Sequence, residues 1–369
     1  MTQPLISHIQ NPDLQRIADR ILSSIRISPE EGLYLYEHAD LSVLGMLADQ
    51  CKKKKSGDLV YFNRNIHIEP TNICIYQCRF CAYSRKKDQP GSWEYSMDEI
   101  IAMIEPHISR NITEVHIVGG VHPDRDIHYY ADMLRDIKKR YPHLHIKAFT
   151  AVELDHMIAK AGLSLEEGLA LLKKSGLDSI PGGGAEIFDP DIRRILCSEK
   201  STGEKWITVH KATHKTGLPS NATMLYGHIE TYRQRINHLQ KLRELQDETG
   251  GFNAFIPLKF RNANNEFSHI AEIPHIEDLR NYAVSRIYLD NFAHIKAYWP
   301  MIGKEIAQLA LSFGADDIDG TIDDTTKIYS MAGVKEKNKL TVDEMLDLIR
   351  KAGKQPAERD SVYNVLKTF

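Results

Sequence analysis

Between residues 60 and 321, short apolar runs rich in Val, Ile, Phe and Tyr alternate with amphipathic helical stretches, and the strand pattern recurs eight times. That rhythm leaves few folds open. The predicted strands cover 60–73, 114–118, 145–154, 177–180, 220–226, 252–260, 294–299 and 317–321. Helix signals lie between them. Ser96-x-x-Glu99, Ser164-x-x-Glu167 and Ser201-x-x-Glu204 read as capping boxes, and Gly176, Gly217 and Gly250-Gly251 read as helix ends. Strands alternating with helices of this length predict parallel βαβ units, and eight such units predict an α/β fold of the (β/α)8, TIM-barrel type. The barrel is expected over 59–325. A helical extension is expected at 1–58, where Ser28-Pro29-Glu30-Glu31 opens a helix, and another at 326–369, where Thr341-x-x-Glu344 does the same; both are expected to pack onto the barrel.

Three of the five cysteines fall within eight residues, as Cys74-x3-Cys78-x2-Cys81, directly after the first predicted strand. An odd, clustered set does not read as a disulfide framework. Iron–sulfur clusters are held by Cys thiolates, four for a closed [4Fe–4S] site, so three leave one iron with an open position. The competing reading is a structural zinc ion with a fourth ligand from Cys51, Cys197 or His67, although no second cysteine knuckle is present. Free thiolates fit a reducing cytoplasm. The start Met1-Thr2-Gln3-Pro4 lacks the pattern of a signal peptide, and no run of eighteen apolar residues marks a membrane span. The net charge of −3 implies no nucleic-acid partner.

In a barrel of this type the active site lies at the C-terminal strand ends. Several candidates fall there: Gly119-Gly120, the Thr150–Glu153 stretch, and Pro181-Gly182-Gly183-Gly184-Ala185-Glu186. Glycines at these points allow backbone to approach a ligand closely. Glu153 and Glu186 can accept hydrogen bonds from ligand hydroxyl or ammonium groups. Asn221, Thr223 and His228 lie along or just beyond the fifth strand. Lys259 and Arg261 lie two apart near the end of the sixth, on one face of an extended segment. Cations at a barrel mouth suit a carboxylate substrate. Cys51 and Cys197 read as inert, small apolar residues.

The motif Cys-x3-Cys-x-Phe80-Cys81 resembles that of the radical S-adenosylmethionine (SAM) enzymes. The resemblance implies a [4Fe–4S] cluster on Cys74, Cys78 and Cys81, with SAM chelated at the open iron and cleaved to methionine and a 5'-deoxyadenosyl radical. It further implies cofactor contacts from Tyr76, Phe80, Gly119, Gly120, Thr150, Glu153 and Glu186. A reducing electron donor such as flavodoxin or ferredoxin is implied as well. Four longer blocks, residues 145–153, 181–188, 220–230 and 246–252, are similar to the aminofutalosine synthases of the futalosine route to menaquinone. That likeness implies addition of the adenosyl radical to 3-[(1-carboxyvinyl)oxy]benzoate, then aryl migration and loss of one carboxylate, giving 6-amino-6-deoxyfutalosine. Arg85, Asn221, Lys259 and Arg261 become candidates for the substrate's two carboxylates, with Thr223 and His228 as further pocket candidates. Phe149, Tyr226 and Phe255 are expected to keep the pocket dry. The related dehypoxanthine futalosine cyclase tends to carry Trp where this chain has Leu258, which favours the synthase. Many synthases carry a His-Pro-containing stretch where this chain has Lys259-Phe260-Arg261-Asn262.

Overall fold

A computed structural model describes residues 9–322, 326–335 and 339–369. The expected start of the N-terminal extension (1–8) and the expected barrel end at 323–325 lie outside the described residues. Among the described residues there are ten strands: β1 Leu59–Phe62, β2 Asn65–Ile68, β3 Glu114–Ile117, β4 His145–Ala148, β5 Ser220–Tyr226, β6 Phe252–Lys259, β7 His294–Ala297, β8 Asp317–Ile318, β9 Gln355–Arg359 and β10 Val365–Thr368.

The parallel pairings run β2–β3–β4, then through single bridges Lys147–Ser179 and Ile180–Ser220 to β5, and onward β5–β6–β7–β8–β1. β1 and β2 are halves of one strand interrupted at Asn63-Arg64. The Thr321 hydroxyl donates to Asn65 O at 2.9 Å and accepts from Asn65 N at 3.2 Å, joining the end of β8 to β2. The eight-stranded α/β barrel expected from the rhythm is therefore present, with its fourth strand reduced to Ser179-Ile180.

Local chemistry explains most element boundaries. Capping boxes close at Ser96/Glu99, Ser164/Glu167 and Thr341/Glu344, and Gly176 ends its helix in the left-handed region at φ 113°. Three expectations need correction. The strand predicted over 145–154 stops at Ala148. Thr150 then caps a helix, Ala151–Lys160, because its hydroxyl and the Glu153 carboxylate form a reciprocal box. The cap read at Ser201 is Thr202, which opens helix Gly203–Lys215. The helix expected over 301–313 is two short pieces broken at Gly303, φ 88°. A helix at Pro190–Cys197, capped by Asp189, was not anticipated.

The ends differ from each other. Helices Pro29–His38 and Leu41–Ser56 pack beside helix His275–Tyr288, with Tyr36 Oη donating to Asn281 Oδ1 at 2.6 Å, and helix Pro12–Leu22 packs on those two. The C-terminal segment is not helical throughout. After helix Val342–Lys351, β9 pairs in parallel with β1 and β10 folds back antiparallel on β9. Arg359 anchors this addition, donating to the buried Asp317 of β8 at 2.6 Å. No described helix is long and apolar enough to cross a membrane.

Candidate active site

The cysteine loop leaves the top of β2 and lies over the barrel mouth. Backbone bonds fix it: Cys74 N donates to Arg85 O at 2.9 Å, Ile75 N to Val121 O at 2.9 Å, and Arg79 N to Leu196 O at 2.9 Å. The Arg85 guanidinium donates to Ala82 O and Ser84 O, at 3.0 and 2.8 Å. Arg85 thus braces the loop and is not among the residues lining the cavity. All five cysteines are free, and Cys74, Cys78 and Cys81 line one cavity of about 340 Å³. The Cys74 sulfur accepts from Val121 N at 3.4 Å. Cys197, given no role by sequence, sits at the end of the unanticipated helix with its thiol hydrogen-bonded to Cys78. Among the described residues no three His, Cys, Asp or Glu side chains are gathered closely enough to hold one ion. A cluster differs from a single ion in binding its three thiolates through three separate irons, and three half-buried thiols of one loop facing one cavity fit that group.

The glycine-rich strand ends pack tightly. A Cβ on Gly120 would lie 2.3 Å from Ile73 O, and one on Gly119 2.7 Å from Thr71 O. A Cβ on Gly182 would lie 2.6 Å from Asn221 O. These glycines let the loop after β3 and the loop before β5 lie against neighbouring backbone while still lining the cavity.

The acids divide. Glu186 lines the cavity and forms a buried ion pair with Lys200, whose ammonium lies 5.9 Å from the Phe80 ring centroid. Burial opposes ionisation of Glu186, but Lys200 outweighs it and holds the carboxyl below its ordinary range. Glu153 lies behind the lining. It accepts from Gly119 N at 3.1 Å and from Thr150 N and Oγ1 at 2.7 Å, so it shapes the glycine turn from below. Burial pushes its pKa up to about 7 despite those bonds. Tyr76, Phe80, Thr150, Asn221 and Thr223 line the cavity. Thr223 Oγ1 donates to Gly182 O at 2.6 Å.

Two basic candidates are committed elsewhere. Lys259 faces the cavity but pairs with buried Asp278, and His228 bonds Leu225 O and Glu230 outside the lining. Arg261 sits at the rim with Glu272 at 3.1 Å, its Nε without a partner. The expected aromatic walls also move. Strand residues alternate sides, so Thr223 and Leu225 face in while Tyr226 faces out to Asp278. Likewise Ile256 and Leu258 face in while Phe255 packs outward on Phe292. Phe149 stacks edge-on with Tyr130 in the core. The apolar lining combines aliphatic Val118, Val121, Val152, Leu225, Ile256 and Leu258 with aromatic rings other than those expected, among them Phe80, Tyr83 and Phe260.

The floor holds residues that sequence reasoning missed. Lys147 pairs with Glu114 at 2.6 Å, and Lys296 with Asp319 at 2.8 Å. Burial opposes the charge on both acids. The lysines prevail, holding Glu114 well below the usual range and Asp319 at about 2. His67 and His116 stand beside them.

The family model described as the Radical SAM superfamily matches residues 68–242, and the CofH/MqnC C-terminal region matches 249–369. The chain is 41% identical to the aminodeoxyfutalosine synthase of Thermus thermophilus, over 98% of each chain. It belongs to the radical SAM enzymes, in the branch that holds the aminodeoxyfutalosine synthases. This radical SAM enzyme is also 38% identical to the cyclic dehypoxanthine futalosine synthase of Streptomyces coelicolor, over 97% of this chain and 90% of that one. Its barrel superposes on the crystal structure of methylornithine synthase with a TM-score of 0.75, at 14% identity, covering 92% and 97% of the two chains. That match speaks for the fold alone. As a radical SAM enzyme the chain works with a [4Fe–4S] cluster and SAM, and Cys74, Cys78 and Cys81 line one cavity from one loop.

Proposed function

We propose that this enzyme joins the 5'-deoxyadenosyl group of SAM to the vinyl carbon of 3-[(1-carboxyvinyl)oxy]benzoate and, after aryl migration and loss of one carboxylate, releases 6-amino-6-deoxyfutalosine. The observation that carries the reading is the 41% identity, end to end, with an aminodeoxyfutalosine synthase. Leu258 in the cavity wall adds to it. When bound, the cluster supplies the electron that splits SAM.

The chain's own residues set the conditions. Gly119, Gly120 and Gly182 let the strand-end loops pack against the backbone of residues 71–73 and 221–222, where a side chain would collide, and these loops would hold SAM beside the cysteine loop. Lys200 and Glu186 fix one wall as a neutral pair. The apolar wall excludes water, so the reactive carbon meets the alkene in a dry, oriented setting. Arg261 and Asn221 at the mouth are the groups available to the carboxylate next to the vinyl carbon. An external reductant, flavodoxin or ferredoxin, completes the scheme.

The second reading is the cyclase, favoured by the 38% identity to a cyclic dehypoxanthine futalosine synthase. Turnover of the anaerobically reconstituted, reduced protein with each candidate substrate separates the two. Methionine release with an adenine-bearing aryl product from the benzoate supports the synthase. Conversion of dehypoxanthine futalosine, with free 5'-deoxyadenosine from the benzoate mixture, overturns it.

A further inference from the structure

His116 is the third residue of β3 and stands in register with His67 of β2. Their rings meet edge-on, centroids 4.5 Å apart at 74°. His67 is engaged: Nε2 lies 3.3 Å from Asn65 Nδ2 and 3.5 Å from Asp319 Oδ2, and Nδ1 lies 3.5 Å from Tyr329 Oη. His116 Nε2 is sealed from solvent without a partner. His156 Nε2 and His210 Nε2 are likewise without a partner, but neither residue lines the cavity, whereas His116 does. A buried nitrogen left without a bond on a cavity-lining residue is costly unless a partner completes it.

The floor's charges do not compete for that role. Lys147 and Glu114 neutralise each other, as do Lys296 and Asp319. Burial, then His67 and Lys147, keep the His116 imidazole neutral, with one N–H to give. An anionic group arriving here is recognised by a directed hydrogen bond within a neutral frame.

Covalent geometry says which anion arrives. The vinyl carbon has to meet SAM at the cysteine-loop end, and one carboxylate is attached beside it. The other carboxylate is on the far side of the aromatic ring and reaches away, down the barrel. At about 3.3 Å rise per residue, His116 lies roughly 10 Å below Gly119 along β3.

We propose that His116, backed by His67 and Tyr329, receives the ring carboxylate and so sets the site's preference for a carboxylated aryl ether. This rests on the substrate reading given above. The test compares 3-[(1-carboxyvinyl)oxy]benzoate with 2-phenoxyprop-2-enoate, which lacks the ring carboxylate, on reconstituted wild-type and His116→Leu enzyme, with Kd by calorimetry beside KM. The variant is expected to weaken the dicarboxylate roughly ten- to hundredfold and to leave the phenoxy compound within about twofold. If His116→Leu does not fold, His116→Ala with added imidazole replaces it, and imidazole is expected to restore affinity for the dicarboxylate selectively. Equal weakening of both compounds, or of neither, overturns the role. Wild-type enzyme that turns over neither compound overturns the substrate reading, and this role with it.

Discussion

Lys259 Nζ lies 2.7 Å from Asp278 Oδ2, with both side chains almost wholly removed from solvent. Tyr226 Oη donates to the other carboxylate oxygen at 2.9 Å, and His275 Nδ1 lies 3.0 Å from Oδ2. The ammonium also donates to Ile273 O at 3.0 Å. The pair ties the mouth of β6 to helix His275–Tyr288. Lys259→Met strands the Asp278 charge and is expected to cost about 3–5 kcal/mol, seen as a lower urea midpoint, with the substrate KM little changed in whatever folds.

Cys78 and Cys197 are hydrogen-bonded thiols of which only Cys78 belongs to the triad motif. Cys78→Ala, like Cys74→Ala and Cys81→Ala, is expected to abolish iron and sulfide retention after reconstitution. Cys197→Ala is expected to retain both. Loss of iron from Cys197→Ala would make that thiol a ligand and revive a four-thiolate site.

Gly120 fixes the run into Cys74. Gly120→Ala places a methyl group against Ile73 O, which the backbone relieves only by shifting the loop. The expected result is a loss of about 1–3 kcal/mol together with reduced iron content. Gly57→Ala, at an open position with φ 57°, is expected to leave iron content unchanged.

Two buried acids predict a pH dependence. Glu69 accepts from Lys327 N at 2.9 Å and Ile328 N at 3.2 Å, tying residues 327–328 to the barrel mouth. Burial lifts its pKa from 4.5 to about 7, as it does for Glu153. Below pH 4.5 both folded and unfolded forms hold the protons. Between 4.5 and about 7 the unfolded chain releases them and the folded chain does not, so stability falls as pH rises through that window. Each shift corresponds to about 3 kcal/mol. Glu69→Gln and Glu153→Gln are expected to flatten this fall in urea midpoints measured from pH 4.5 to 7.5.

The barrel was legible because its signals are local. Alternating apolar runs, capping boxes and glycine stops depend on neighbours in sequence, and Cys74, Cys78 and Cys81 share one short loop. The floor was not, because its residues meet only through closure of the sheet. His-Ile-Lys-Ala occurs twice, as β4 and as β7, and each copy turns its lysine inward onto an acid from another strand. That repeat was the available signal. Glu153 misled because a capping-box acid and a ligand-binding acid look alike in sequence; only the Gly119 amide at 3.1 Å distinguishes them. Lys259 misled because Asp278 lies on a different element. The C-terminal strands escaped because β9 is defined by its pairing with β1, far away in the chain.

In the proposed reaction the adenosyl group ends in the product. SAM carrying carbon-13 throughout its adenosyl group, supplied with 3-[(1-carboxyvinyl)oxy]benzoate to the reduced, reconstituted enzyme, tests it by mass spectrometry. One labelled product is expected, carrying adenine and the carboxyphenyl group covalently joined and formed one-to-one with methionine. Label recovered only in free 5'-deoxyadenosine, or SAM left intact by a fully loaded cluster, would contradict it.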